Sequence, residues 1–244
     1  TVHPAQHIWD LRALQAEPVA AAEAQAPPGN GWLCFELATD LPTDSLVWLR
    51  ATGPPHVRWR WGANSPIGVV AAYRHPSGTV WFGPGSWSRW VTLAVRLEPP
   101  SRPYTAAQAL RGVPRPCDYV NAWVSDPALP LPQWLEVSFS APVTFDTISL
   151  VFDTGLHRIN YVTPGLFRAP ECVRDYTVAA RVHGQWRELV RVTDNYQRLR
   201  EHRVEPIAAT TVRLIVTATN GDPSARVYGL RLYRDGQEGG DWGG

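Results

Sequence analysis

Trp134-Leu135-Glu136-Val137-Ser138-Phe139, followed closely by Thr147-Ile148-Ser149-Leu150-Val151-Phe152, decides the fold. Both runs are rich in β-branched and aromatic side chains and are bounded by turn formers, which marks them as strands. Working outward, similar runs occupy 176–182, 186–192, 211–217 and 226–233. Antiparallel strands alternate in direction, so every second connection returns to the same end of the fold. The short links 140–144 and 183–185 then fall at one end and the long links 153–174 and 193–199 at the other. Residues 123–233 therefore predict an all-β antiparallel sandwich with one elaborated rim, and such a rim is where a scaffold of this kind binds.

With 44% hydrophobic and 18% charged residues, 244 residues suffice for two cores. Residues 1–30 read as a linker with a short helix around Ile8, Leu11 and Leu14. Residues 31–100 read as a smaller antiparallel β-sandwich, 101–235 as the main β-sandwich, and 236–244 as a glycine-rich tail. In the 31–100 region the strand signals lie at 32–37, 45–50, 57–61, 69–74, 79–82 and 90–97, with proline and glycine in nearly every gap. Trp59 and Trp61 alternate with Arg58 and Arg60, so the two rings share one face and are expected to pack inward. Trp87 sits in a loop, where a ring has no automatic core partner. The chain starts at Thr1 and contains no methionine, which reads as a piece of something longer or as a processed chain, and leaves room for a catalytic domain upstream.

Composition also excludes partners. The net charge of +1 offers no clustered basic surplus for nucleic acid or an anionic membrane. No apolar run is long enough to cross a bilayer. All basic residues other than histidine are arginine. Three cysteines, Cys34, Cys117 and Cys172, fit no zinc pattern; buried free thiols are the default, and Cys117 with Cys172 is the favoured pair if a disulfide forms. The compartment stays undecided.

The opening run Ala122-Trp123-Val124-Ser125-Asp126-Pro127, then Pro132-Gln133-Trp134-Leu135-Glu136-Val137-Ser138-Phe139, and the closing run Ser224-Ala225-Arg226-Val227-Tyr228-Gly229-Leu230-Arg231-Leu232-Tyr233 resemble the galactose-binding-like, or discoidin, domain. Phe152-Asp153-Thr154, Val173-Arg174-Asp175-Tyr176, Asn195-Tyr196-Gln197-Arg198 and Ala218-Thr219-Asn220-Gly221-Asp222 are similar to domains appended C-terminally to bacterial FAD-dependent oxidoreductases. The resemblance covers 104–234. It implies a jelly-roll β-sandwich that binds carbohydrate at the elaborated end. Gly229 departs from it, because such domains often carry an acidic residue in the last strand.

Segments 111–133, 153–174, 193–199 and 220–224 should converge on that end. They supply the candidate ligand-binding residues: Asp153, His157, Arg158, Asn160 and Tyr161 from the second, and Asp194, Asn195, Tyr196 and Arg198 from the third. Sugars present hydroxyls at the ring edge and a C–H face, matched by amide, carboxylate and guanidinium groups beside an aromatic plate. Each residue also has a plain structural alternative: Asn195 as a turn former, Tyr161 and Phe167 folded under their own loop, and Arg198, Arg200 and His202 as one row at an interface. Asp118, Asp126, Asp153, Asp194 and Asp222 are oxygen donors near the rim that would suit a structural calcium. No nucleophile motif, dinucleotide fingerprint or metal-ligand spacing is present, so no catalytic residues are expected in this fragment. The leading expectation is a non-catalytic carbohydrate-binding accessory domain. The competing ones are a structural bracket packed on a catalytic domain and a glycoside hydrolase built on Asp153 with Asp175 or Asp194.

Overall fold

The computed structural model describes residues 1–60, 62, 67–74, 80–82, 93–156 and 167–234. The expectations placed on Trp61, Trp87, His157, Arg158, Asn160, Tyr161 and the tail 236–244 lie outside the described residues. The described chain forms two compact units, one of residues 1–103 with 117–120, the other of 104–116, 121–156 and 167–234.

In the first unit, β1 (Val2–Pro4) pairs antiparallel with β2 (Val47–Leu49), and β3 (Ala72–Arg74) pairs with β4 (Val80–Phe82). Residues 1–30 are thus not merely a linker: β1 joins the strand at 47–49, and the expected helix is a short 3₁₀ turn at Leu11–Gln15. Of the expected strands, those at 32–37 and 57–60 do not form. The dense prolines that punctuate this region remove backbone donors and confine pairing to three-residue ribbons.

The second unit is built on β5 (Trp123–Val124), β6 (Gln133–Phe152), β7 (Val173–Val182), β8 (Gln185–Val192), β9 (Leu199–Thr219) and β10 (Arg226–Tyr233). They form a six-stranded antiparallel sheet in the order β5-β10-β6-β9-β7-β8. The two runs that opened the sequence reading are one strand, not two. β6 passes straight through 140–144 and stays paired with β9, with register shifts between Ser138 and Val143 and between Phe145 and Thr147. Pro142 falls in the first shift, and Pro206 lies in β9 opposite the second. A proline has no N–H to give a ladder and is tolerated where a strand bulges and bends. In sequence the same proline reads as a turn.

These bends fold the sheet over itself. One leaf holds β7, β8, the start of β6 and the end of β9; the other holds β5, β10, the end of β6 and the start of β9. Leu135, Val178, Val212 and Leu214 from the first leaf pack with Ile148, Leu150, Phe152, Val227 and Leu230 from the second in a common core. Phe152 and Tyr176 meet across it with ring centroids 5.1 Å apart. Truncating Leu214 to alanine would cost about 2–5 kcal/mol, the usual range for a fully buried leucine.

Candidate functional site

Because β6 and β9 wrap around one end of the sandwich, every true connection but one lies at the other end. The exception is the β7–β8 hairpin, whose two turn residues His183 and Gly184 have φ 47° and 82°, the left-handed pair that suits the twist of the strands. Segments 125–132, 193–198 and 220–225, and the described ends 153–156 and 167–172 of the remaining connection, join strands of different leaves at the opposite rim. The gathering of long connections foreseen from sequence is present, but wrapped strands produce it rather than alternating hairpins.

A buried polar network holds the rim from inside. Asp153 is fully buried; its Oδ1 accepts the backbone N–H groups of Gly155 (2.9 Å) and Leu156 (3.3 Å), and its Oδ2 accepts Arg226 Nη1 at 3.3 Å. Arg226 Nη2 also donates to Asp222 Oδ2 at 2.6 Å, tying the 153–172 and 220–225 connections together. Asn195 is likewise buried. Its amide donates to the carbonyls of Val173 (2.7 Å) and Gln197 (3.2 Å), and its Oδ1 accepts the N–H of Gln197 at 3.1 Å. Asn220 then bridges the carbonyls of Cys172 and Asn195 at 3.1 and 3.0 Å. Asp153 and Asn195 are therefore buried in the frame beneath the rim rather than exposed on its surface. A polar side chain amid several unpaired backbone groups satisfies them first.

Arg198 is half-buried and donates to the Pro114 carbonyl. In the row it forms with Arg200 and His202, His202 meets the Tyr176 hydroxyl at 2.9 Å, between the leaves. That row faces inward, while Leu199, Glu201 and Arg203 alternate with it and are exposed. Burial lowers the His202 pKa, with Arg200 adding to the effect, and burial pushes the Tyr176 hydroxyl up to about 12. All three cysteines are free, so the favoured disulfide is not formed. Cys172 is buried, and burial raises its thiol to about 11, the Asp153 charge adding to the shift.

What the rim does present is aromatic. Phe167 is 72% exposed and Tyr196 39% exposed, and their ring centroids lie 4.7 Å apart with planes tilted by 35°. The Arg168 guanidinium carbon sits 5.9 Å from the Phe167 centroid and 5.5 Å from that of Tyr196. Arg168 binds Asp194 in a two-pronged pair, Nη1 to Oδ1 and Nη2 to Oδ2, the latter at 3.0 Å. Asp194 is held in place in turn: its backbone has φ 59°, and its N–H donates to Asp175 Oδ1 at 2.8 Å. Of the sequence candidates, the structure brings Asp194 and Tyr196 together on this plate. Phe167 and Arg168 complete it, and neither is among the candidate ligand-binding residues picked from sequence. The missed signal was the pair Phe167-Arg168 itself, whose partners lie a strand hairpin away in sequence.

The carboxylates here are poorly set for acid catalysis. The hydrogen bond from Arg174 lowers the Asp175 pKa and that from Arg168 lowers the Asp194 pKa, whereas a glycosidase acid requires a raised value. Among the described residues no group of three or more His, Cys, Asp or Glu is close enough to hold a metal ion. Of the donors suggested for calcium, Asp153 and Asp222 already have the Arg226 cation between them.

No family model matches the chain, and no curated protein sequence matches it. Among solved structures, the family 32 carbohydrate-binding module of EndoD from Streptococcus pneumoniae aligns with 54% of this chain and 86% of its own at 18% identity, with a TM-score of 0.44. The family 32 module of NanJ from C. perfringens, solved with galactose, aligns with 52% of this chain and 82% of its own at 18% identity and a TM-score of 0.40. Chitosan-binding module 1 of a chitosanase/glucanase from Paenibacillus sp. IK-5 aligns with 53% of this chain and 85% of its own at 16% identity and a TM-score of 0.41.

Proposed function

We propose that this chain is a non-catalytic carbohydrate-binding module whose ligand rests on the Phe167–Tyr196 plate at the rim of the second unit. The observation that carries the proposal is this aromatic pair: two large rings in tilted contact, each still exposed, on the end where the connections meet, with a fixed ion pair beside them. A pyranose offers a C–H face to such rings and hydroxyls to the polar groups around them. Arg168 has five N–H donors and spends two on Asp194, whose oxygens retain lone pairs for sugar hydroxyls. The pair fixes both groups before a ligand arrives, which reduces the entropy lost on binding.

Sequence resemblance to galactose-binding-like domains points the proposal to galactose-type sugars. His157, Arg158, Asn160 and Tyr161 precede Phe167 in the same connection and are proposed to add contacts. Binding at a plate of two rings is weak for one sugar and gains from attachment to a larger protein, here proposed to carry a catalytic domain such as a FAD-dependent oxidoreductase. Titration calorimetry with galactose, N-acetylgalactosamine and galacto-oligosaccharides tests the reading. Phe167→Ala and Tyr196→Ala should each weaken binding by about tenfold, equivalent to ~1.4 kcal/mol. Absence of binding across the panel, or unchanged affinity in both variants, refutes it.

A further inference from the structure

The outer surface of the first leaf carries a second aromatic arrangement, which shares no residue with the rim pair. Trp134 in β6 is 56% exposed and Trp186 in β8 is 42% exposed. Arg213 in β9 lies between them, its guanidinium carbon 5.5 Å from the Trp134 ring centroid and 4.2 Å from that of Trp186. Glu136 Oε2 accepts both Arg213 Nε and Nη2, at 2.7 and 2.6 Å. Register explains the layout. Glu136 stands opposite Arg213, Arg213 opposite Ala179, and Trp186 opposite Arg181. The small side chain of Ala179 leaves room for Arg213 to lie along the sheet.

From this we infer a second carbohydrate-binding surface, on which an uncharged polysaccharide chain lies across Trp134, Arg213 and Trp186. The inference rests on the carbohydrate reading of the rim but uses none of its residues. Two exposed tryptophans that both reach one guanidinium can be met by neighbouring sugars of a single chain, and Trp and Arg are the side chains that dominate binding surfaces. Charge selects the ligand. Arg213 is paired with Glu136 and Arg191 with Glu188, while Arg181 donates to the Gly184 carbonyl and keeps its charge, so the guanidinium between the two rings is neutralised and a single cation stands at the hairpin edge of this face. A nucleic acid or acidic polymer calls for unpaired cations, whereas a neutral polyol needs donors and acceptors fixed beside apolar rings. A face bearing such paired ions between two rings also differs from the apolar centre of a stable protein interface.

The test compares the full chain, a face variant (Trp134→Ala with Trp186→Ala) and a rim variant (Phe167→Ala with Tyr196→Ala). Each is titrated with galactose and with galactan, cellulose and chitin as neutral polysaccharides. Circular dichroism and sedimentation velocity are recorded alongside. The face variant should retain galactose binding but lose polysaccharide retention by roughly tenfold or more, a change of ~1.4 kcal/mol per decade. Galactan should also change the tryptophan fluorescence of the full chain and not that of the face variant. Polysaccharide retention unchanged in the face variant overturns the platform and leaves the rim proposal standing. Retention lost in the face variant, with galactose affinity unaltered in the rim variant, supports the platform and refutes the rim. No polysaccharide retained by the full chain overturns the platform, and so does a self-association that the face variant abolishes without any effect on retention.

Discussion

Replacing Asp153 with alanine separates a frame residue from a ligand contact. The carboxylate is fully buried and accepts two backbone N–H groups and one guanidinium N–H. Hydrogen bonds to a charged group contribute about 1.5–3 kcal/mol each, and they do not add fully when they share one side chain. Removing one member of a buried ion pair costs about 3–5 kcal/mol, because the partner loses its compensation. Here the retained contact of Arg226 with Asp222 at 2.6 Å softens that loss, which places the expected destabilisation near ~3 kcal/mol, at the lower end of the range. Asp153→Asn keeps an acceptor for Gly155 and Leu156 but gives up both the charge and the acceptor for Arg226, so it should cost less than the alanine variant while still lowering stability. Urea unfolding of the second unit is the assay. With a slope of about 2–3 kcal/mol per molar urea, the alanine variant should lower the midpoint by roughly 1 M or slightly more. An alanine variant with an unchanged midpoint and lost sugar binding would refute the reasoning, since it would mean that Asp153 faces a ligand.

Two other expectations follow from buried groups. Thiol titration of the native chain should count two accessible cysteines, Cys34 and Cys117, with Cys172 reacting only after unfolding; three fast thiols would contradict its burial, and fewer than two would indicate a disulfide. His202 has a lowered native pKa, so below the ordinary value near 6.5 the unfolded chain binds the proton more readily than the folded one. Its contribution to stability is therefore present above pH about 6.5 and declines as pH falls through that value towards the native pKa. Urea midpoints at pH 7.5 and 5.5 should differ in the parent and differ less in His202→Gln, and an equal difference in both would exclude His202 as the cause.

In the second unit sequence was a good guide to where strands form and to the end on which the connections collect. Closing strand 226–233 has the bounds expected of it, and the hairpin at His183-Gly184 was legible because its turn residues tolerate positive φ. The wrapping of β6 and β9 was not legible, since Pro142 carries the same signal at a bulge as in a turn. The row of Arg198, Arg200 and His202 was legible as one face of a strand, but its inward turn towards Tyr176 is fixed only by the opposite leaf. The site divided along the same line. Tyr196 and Asp194 could be picked by residue type, whereas the inward turn of Asn195 and Asp153 depends on backbone groups brought together from distant segments.

The most direct test of the rim proposal is a titration of the isotope-labelled chain with galactose, followed by amide chemical shifts. The proposal predicts saturable changes at Phe167, Arg168, Asp194 and Tyr196, with the amides of the hairpin end around His183 unmoved. Shifts confined to other surfaces, or none with galactose or any other sugar of the panel, would contradict it.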